Sequence, residues 1–428
     1  MSETLRAQAR DLDAADPLRQ YRERFAHPSA ADGAPALYLC GHSLGLMPLA
    51  ARDRVTEELD EWSRLGVEGH TRARRDWIGY AEHFRAPLAR LTGARESEVV
   101  AMNSLSVNLH LLMASFYQPA GGRRCIVIEA GAFPSDRHAV ASQLHWHGVP
   151  AEALLELAPE AGSEDCSESQ LEELLRQRGD EVALVLWPGV QYRTGRSFDL
   201  ARIVAAARRV GALCGFDLAH SIGNVPLNLH GDDADFAVWC SYKYLNAGPG
   251  AIGGAFVHER HSRARLPGLA GWWGHDPATR FRMGPEFVPA AGAAGWQISN
   301  PPILSSAPLL ASLALFDAAG MPALRAKSLQ MTALLIEQLE RRFEGNVQLI
   351  TPRAHAQRGS QLSLRVHGGR DRGRRVFDAL TEAGVLLDWR EPDVLRLSLA
   401  PLYNSFADVA RFLDALAAAL AQLPGRRA

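Results

Sequence analysis

Cysteine is sparse and unpatterned in this chain of 428 residues. Cys40, Cys125, Cys166, Cys214 and Cys240 are scattered, odd in number and include no C-x-x-C pair, so neither a disulfide framework nor a zinc ribbon is indicated, and no metal site is expected. No apolar run approaches the roughly 18 residues that a membrane span needs. Met1–Arg10 is polar and helical in character, without the apolar stretch of a signal peptide. Neither sign of charge is in excess: Lys plus Arg number 46 and Asp plus Glu 48, a net charge of −2. That balance removes the basic footprint of a dedicated nucleic-acid binder. Internal repeats and low-complexity blocks are missing too. With 47% hydrophobic and 22% charged residues, the composition excludes disorder, collagen and coiled coil. The expectation is a cytoplasmic protein that meets neither nucleic acid nor membrane. At about 150 residues per domain, two or three domains are expected.

What is present is an alternation of helix and strand. Val55, Leu59, Trp62 and Leu65 fall at helical spacing and predict a helix over Ala51–Leu65. Leu105–Tyr117 reads as another. Short apolar runs bounded by Gly or Pro follow at Cys125–Ile128, Val182–Leu186, Ala212–Phe216, Phe236–Cys240 and Ala255–Val257, with helical stretches such as Asp199–Val210 between some of them. Continuous apolar strands with intervening helices predict a mostly parallel sheet covered on both faces. Past residue 305 the texture changes. Two helical runs, Leu309–Ala318 and Ala323–Phe343, lead to strands near Val347–Ile350, Gln361–Val366 and Val394–Ser398, with helices near Arg374–Ala383 and Phe406–Leu420. The chain is divided accordingly into an N-terminal segment (1–50), a large α/β domain (51–305) and a small C-terminal α+β domain (306–428). The Asn300-Pro-Pro302 break marks the boundary region, because proline disfavours helix in the residue before it.

Three motifs lack the context their chemistry requires. Gly41-His-Ser43-Leu-Gly45 matches the G-x-S-x-G nucleophile elbow. That elbow needs a strand before it and a helix at once after it, and here only Tyr38-Leu-Cys40 precedes and Pro48 interrupts. Gly248-Pro-Gly250-Ala-Ile-Gly253 matches G-x-G-x-x-G, but an apolar strand follows instead of a helix and Trp273 stands where the acidic residue belongs. The glycines are read as places where backbone turns and packs closely. His145-Trp-His147 has no third ligand nearby.

The informative segment is Cys214–Gly250. One apolar strand ends in Phe216-Asp217 and is followed by Leu-Ala-His220-Ser; a second runs into Ser241-Tyr242-Lys243-Tyr244. In a parallel sheet, Asp217 and Lys243 both stand at the carboxyl-terminal edge, where ligands bind. A lysine there can form a Schiff base with pyridoxal 5′-phosphate (PLP), and an aspartate can hold the pyridine nitrogen protonated. A surface lysine and a helix-capping aspartate would read the same way, and each feature alone is ambiguous. Asn103-Ser-Leu105-Ser106 opens a helix whose N-terminus suits a phosphate. Phe133-Pro134-Ser135-Asp136 follows a strand, where an aromatic ring can stack on a cofactor.

These residues sit in longer runs that resemble kynureninase, a PLP-dependent family of the aminotransferase-like fold (fold type I). The matching text is Cys40–Leu46, Met102–Leu112, Phe133–Asp136, Phe216–Asn224, Trp239–Asn246, Gly271–His275, Ile298–Ile303 and Pro401–Tyr403, in family order over nearly the whole chain beyond Tyr38. The resemblance implies hydrolysis of L-kynurenine, and possibly 3-hydroxykynurenine, to anthranilate and L-alanine in tryptophan and kynurenine catabolism. It also implies roles. Lys243 carries the cofactor, Asp217 binds the pyridine nitrogen and His220 lies beside it. Phe133 stacks on the ring within the Phe133-Pro134-Ser135 turn, with Asp136 near its hydroxyl side. Leu105, Ser106 and Tyr242 hold the phosphate, and Tyr242 is the candidate acid/base for the late proton transfers. Trp272 and Asn300 complete the site from the second subunit of a homodimer. Arg396 takes the substrate carboxylate, since a guanidinium pairs with it bidentately. Ser43 and His70 lie toward the substrate's aromatic end. The sequence departs from the family at His42, where Asn is usual, at Ser106, where Thr is common, and at Pro188, where a small hydroxyl residue is usual.

Overall fold

The computed structural model of the chain describes residues 3–31, 33–262 and 266–422. The outermost residues of the N-terminal segment (1–2) and of the small domain (423–428) lie outside the described residues. The N-terminal segment opens with helix Glu3–Ala15 and contains a two-residue strand, β1 (Leu37–Tyr38).

Seven strands then build the large sheet: β2 (Val99–Ala101), β3 (Cys125–Glu129), β4 (Leu154–Leu157), β5 (Val182–Pro188), β6 (Leu213–Asp217), β7 (Phe236–Trp239) and β8 (Gly254–Val257). Their spatial order is β2-β8-β7-β6-β5-β3-β4. Strands β4, β3, β5, β6 and β7 run parallel to their neighbours, and β8 is antiparallel to both β7 and β2. The sheet is therefore mostly parallel, and β3 and β5–β8 read as apolar runs because helices cover both of its faces. Residues on β5, β6 and β7 are fully enclosed: Trp187, Phe216 and Trp239 are each 1% exposed or less. The edge strands β2, only three residues long, and β4, interrupted by Glu156, are not predicted by the apolar runs.

The small unit carries β9 (Val347–Leu349), β10 (Gln361–Val366), β11 (Val385–Leu386), β12 (Asp388–Arg390) and β13 (Val394–Ser398). Four of these form an antiparallel sheet in the order β12-β13-β10-β9, while β11 pairs in parallel with β1. Helix Glu3–Ala15 packs on helix Phe406–Ala421, and Leu5, Leu37 and Leu39 join the small unit's core beside Leu362, Leu397 and Phe412. The core of the large unit extends past residue 305. Helix Ile303–Ala319 packs on helix Leu49–Leu65, and Leu309, Leu313, Phe316 and Leu324 belong to the large core, whereas the second core takes up the next helix from Met331 onward. The change of core thus falls within helix Met321–Phe343, later than the Asn300-Pro-Pro302 break, because Ile303–Ala319 is apolar on the side that meets Leu49–Leu65. No single helix among the described residues is long and apolar enough to cross a membrane; helices Ile303–Ala319 and Met321–Phe343 reach that length and composition only as a pair bent by 82°.

Two of the discounted motifs have structural explanations. At Gly253 a Cβ would come within 2.9 Å of the Trp239 carbonyl oxygen and 3.2 Å of the Leu105 nitrogen, so glycine lets β8 start against a helix N-terminus. Likewise a Cβ at Gly45 would lie 2.3 Å from the Lys243 carbonyl oxygen, and the Gly45 N–H donates to the Tyr242 carbonyl at 2.8 Å. The G-x-S-x-G turn is thus a close-packing element against the Tyr242–Asn246 loop. Ser43 is half-buried in it, with no helix until Leu49.

Candidate active site

Strands β3, β5, β6 and β7 end on one side of the sheet, and a pocket opens there. Register places Pro188 beside Asp217 and Asp217 beside Val238. Asp217 closes β6, Lys243 follows β7 and Phe133 follows β3, so three separate strand ends deliver the three groups to one cleft. Leu105, Ser106, Phe133, Ser135, Asp136, Asp217, His220, Tyr242 and Lys243 all line it. Pro134, the first residue of helix Pro134–Trp146, sets the turn but is exposed and does not line the pocket.

Lysine occurs in the chain only at 243 and 327. Lys327 is 5% exposed and tied to Asp16 at 2.7 Å. Lys243 is the one that reaches the pocket: its Nζ lies 3.1 Å from Nε2 of His220 and 5.7 Å from the centre of the Phe133 ring. Burial, then the Lys243 and Arg396 charges, hold the His220 imidazole well below its ordinary range, so it is neutral and Nε2 accepts from the lysine. Its Nδ1 is buried without a partner.

Behind this pair lie two acids. Asp217 Oδ1 accepts the Ala219 N–H at 2.7 Å. Asp136, which the family resemblance places near the ring hydroxyl, meets Asp217 carboxyl to carboxyl. Burial first, and the facing Asp217 second, push the Asp136 carboxyl far above the carboxylate range, and its Oδ1 has no partner. Glu129, at the end of β3, is a third acid lining the pocket; burial raises it to about 8, and Gln191 Nε2 donates to it at 3.1 Å. Two acids whose carboxyls are raised by burial, Asp136 and Glu129, flank Asp217 and form an acidic floor suited to a ring nitrogen.

Two helix N-termini converge at the other end. Helices Leu105–Phe116 and Pro134–Trp146 begin with Ser104 and Phe133 at their caps, and neither side chain caps its helix. Ser106 Oγ and Ser135 Oγ meet at 2.6 Å. Uncapped first-turn N–H groups and paired hydroxyls suit a phosphate dianion. An acidic floor for a ring nitrogen, a lysine at the middle, an aromatic ring above and a phosphate cradle at the far end match PLP group by group. Pro188 lines the pocket beside Asp217 without an N–H to offer.

The remaining predicted residues are elsewhere. Arg396, on β13, is 1% exposed; its Nη1 donates to the Tyr192 carbonyl at 2.5 Å and its Nη2 to Asp388. Tyr192 links it to the pocket: the guanidinium lies 5.9 Å from the Tyr192 ring centre, and that ring meets Phe133 edge-on at 5.2 Å. Sequence reasoning missed Tyr192, Glu129 and Asp388; Glu129, as the polar last residue of an apolar strand, gave the same signal that marks Asp217. His70 is exposed and meets Trp77 edge-on, with ring centres 5.5 Å apart. Asn300 is exposed, and Trp272 is half-exposed, its indole donating to the Arg280 carbonyl at 3.2 Å. None of His70, Ser43, Trp272 and Asn300 lines the pocket of its own chain. His145 and His147 sit at the end of a helix; His145 is exposed and His147 packs on Tyr117.

Comparison with known proteins gives three findings. Residues 324–416 match the family model described as the kynureninase C-terminal domain. A protein of Xanthomonas euvesicatoria pv. vesicatoria (strain 85-10) named kynureninase is 58% identical over 410 residues, covering 96% of this chain and 97% of the relative. One of Xanthomonas oryzae pv. oryzae (strain PXO99A), with the same name, is 57% identical over 409 residues, covering 95% and 96%. Among solved structures, the cysteine desulfurase CsdA of Escherichia coli superposes with a TM-score of 0.75 at 19% identity, covering 95% of this chain and 99% of that one. A mutant of C-DES with glycine covalently linked to the PLP cofactor gives 0.76 at 19% identity, covering 92% and 98%. At that identity the likeness shows the fold, an aminotransferase-like α/β architecture.

Proposed function

The chain belongs to the kynureninase family, and from that membership we propose that it is a PLP-dependent hydrolase converting L-kynurenine and water to anthranilate and L-alanine. The observation that supports this most directly is the convergence of Lys243, His220 and the Asp217–Asp136 pair at one sheet edge, opposite the paired serines 106 and 135. Bound there, PLP supplies the electron sink that carbon–carbon cleavage needs.

The chain's own groups do the rest. Lys243 would hold the cofactor, and its freed Nζ would take the proton from the substrate α-carbon. His220, neutral and 3.1 Å away, steers that amine without competing for the proton. Water adds its oxygen to the side-chain ketone, which becomes the anthranilate carboxylate when the bond to the β-carbon breaks. The β-carbon then needs a proton to become the alanine methyl. Burial, with Cys240 beside it, pushes the Tyr242 phenol above its ordinary range, so it holds its proton at neutral pH and is suited to donate it. Arg396 binds the substrate carboxylate.

The same reading makes the enzyme a homodimer with shared sites. Leu269, just before Trp272, and Phe281 and Met283, between Trp272 and Asn300, are 59%, 53% and 70% exposed, apolar side chains of the kind that meet a partner. A second copy seated there would bring Trp272 and Asn300 toward its pocket. The test of the function is anthranilate release from L-kynurenine by the purified holoenzyme, followed by its fluorescence, together with an absorbance band that borohydride bleaches. A bleachable band without anthranilate release would retain the cofactor and reject the substrate.

A further inference from the structure

Arg396 already has a carboxylate. Strands β12 and β13 are antiparallel, and their register puts Asp388 directly opposite Arg396. One oxygen of Asp388, Oδ2, takes Nη2 of Arg396, Nη2 of Arg390 at 3.1 Å, and faces Nε2 of His42 at 3.7 Å. Meanwhile Arg396 Nε is buried with no partner. A bidentate carboxylate uses two adjacent guanidinium nitrogens, and here one of the pair is free while Asp388 holds the other.

His42 is the second anomaly. It is 0% exposed, and neither ring nitrogen has a hydrogen-bond partner. A buried imidazole left so costs free energy unless something later satisfies it. Its neighbours are Asp388, Cys40, Arg396, Arg390, Lys243 and His220, whose ring centre is 6.4 Å away. Burial first, and then the Arg396, Lys243 and Arg390 charges, hold the ring well below its ordinary range and so neutral.

We propose that Asp388 is an internal stand-in for the substrate's carboxylate: it neutralises Arg396 before substrate binds, yields the guanidinium to the incoming amino acid, and is received by Arg390 and His42. The arriving carboxylate takes over Arg396, so a buried guanidinium is never left bare, and the added negative charge is offset by a proton taken up at His42. His42 gains a proton in the process, because the carboxylate released toward it favours the imidazolium. Asp388 is a positioning residue that sets how tightly an α-amino acid carboxylate binds. The inference rests on Arg396 being the carboxylate subsite.

The test uses the holoenzyme, assayed with L-kynurenine and titrated calorimetrically with L-alanine; 2-aminopropan-1-ol, which has the amine and no carboxylate, is the control. Asp388→Asn should lower both the KM for L-kynurenine and the Kd for L-alanine by about tenfold, since the ligand then supplies the only counter-charge. It should leave the amino alcohol unchanged. A merely structural Asp388 would give a higher or unaltered KM, and that result overturns the exchange. His42→Asn keeps a buried polar group and carries the test even if Asp388→Asn does not fold. Wild-type protein should take up more protons per L-alanine bound than His42→Asn, read from the heat in buffers of different ionisation enthalpy; equal uptake overturns the hand-over to His42. Arg396→Gln separates this inference from its premise. If L-alanine still binds to Arg396→Gln as to wild type, the subsite itself is wrong. If Arg396→Gln loses L-alanine while Asp388→Asn changes nothing, only the exchange is wrong.

Discussion

At the sheet edge, Lys243, His220, Asp217, Asp136 and the 106–135 serine pair meet within one chain and at hydrogen-bonding distances. On the side facing the small unit, by contrast, Arg396 is held by Asp388 and the Tyr192 carbonyl, while His70 and Asn300 point to solvent. The cofactor half is preorganised because the rigid parallel sheet fixes strand ends in register. The substrate half must change partners to work, since its cation is already neutralised and its remaining residues lie outside the pocket of their own chain. Preorganisation where the chemistry is constant, and exchange where a ligand comes and goes, is the lesson of the contrast.

Each way of breaking the cofactor half should be costlier than the corresponding break in the substrate half. Lys243→Ala should reduce anthranilate formation by at least about 10³-fold, with loss of the bleachable absorbance band, because it removes attachment and proton transfer together. Arg396→Gln comes next. It should cut kcat/KM for L-kynurenine by about 10²-fold, mostly through KM, as expected when one partner of a buried charge pair is truncated. An effect confined to kcat would move Arg396 from binding to chemistry.

The proposed dimer gives the third test. Neither Lys243→Ala nor Asn300→Ala subunits should be active alone. Mixed under exchange conditions, they should recover about a quarter of wild-type activity, since half of the randomly formed dimers are mixed and each of those holds one intact site. No recovery despite demonstrated exchange would place Asn300 in its own chain's site.

Smaller effects sharpen the boundary between the halves. Glu129 is raised from 4.5 to about 8 by burial, so the folded protein binds a proton there that the unfolded chain has already released above pH 4.5. Its contribution to stability is present below pH 4.5 and is lost as the pH rises toward 8. Glu129→Gln should therefore raise Tm, with a gain that grows between those values and levels off above them; a gain independent of pH would mean that Glu129 is not the titrating group. Smallest of all, Ser43→Ala should form anthranilate at a rate of the same order as wild type, and a fluorophosphonate probe should leave Ser43 unlabelled. Stoichiometric labelling with loss of activity would restore the nucleophile reading.

The same division explains what was legible in the sequence. Asp217 and Lys243 could be read because Asp217 closes an apolar strand and Lys243 lies in the short loop after the next one, and parallel strands that end together bring such residues to one edge. The chemical identity of the site, however, came from the longer family runs, since a lysine and an aspartate after strands are compatible with many roles. Asp388 was not legible: β12 is three residues long and half-buried throughout, so it has neither an apolar run nor alternation to mark it. Tyr192 lies in a turn and owes its role to Arg396, 204 positions away. That Asp136 faces Asp217 was not legible either, because a helix's first turn fixes where a side chain starts and not which neighbour it meets. The change of core within helix Met321–Phe343 was hidden because a Pro-Pro pair marks where a helix may begin, not which core it joins.

The central claim is that Lys243 is the residue that carries the cofactor, and the chain's composition makes it unusually easy to test. Borohydride reduction of the holoenzyme followed by peptide mapping has only two lysine side chains to choose between. The account predicts the pyridoxyl group on the peptide containing Trp239-Cys-Ser-Tyr-Lys243. Finding it on Lys327, the buried partner of Asp16, would contradict the account at its base.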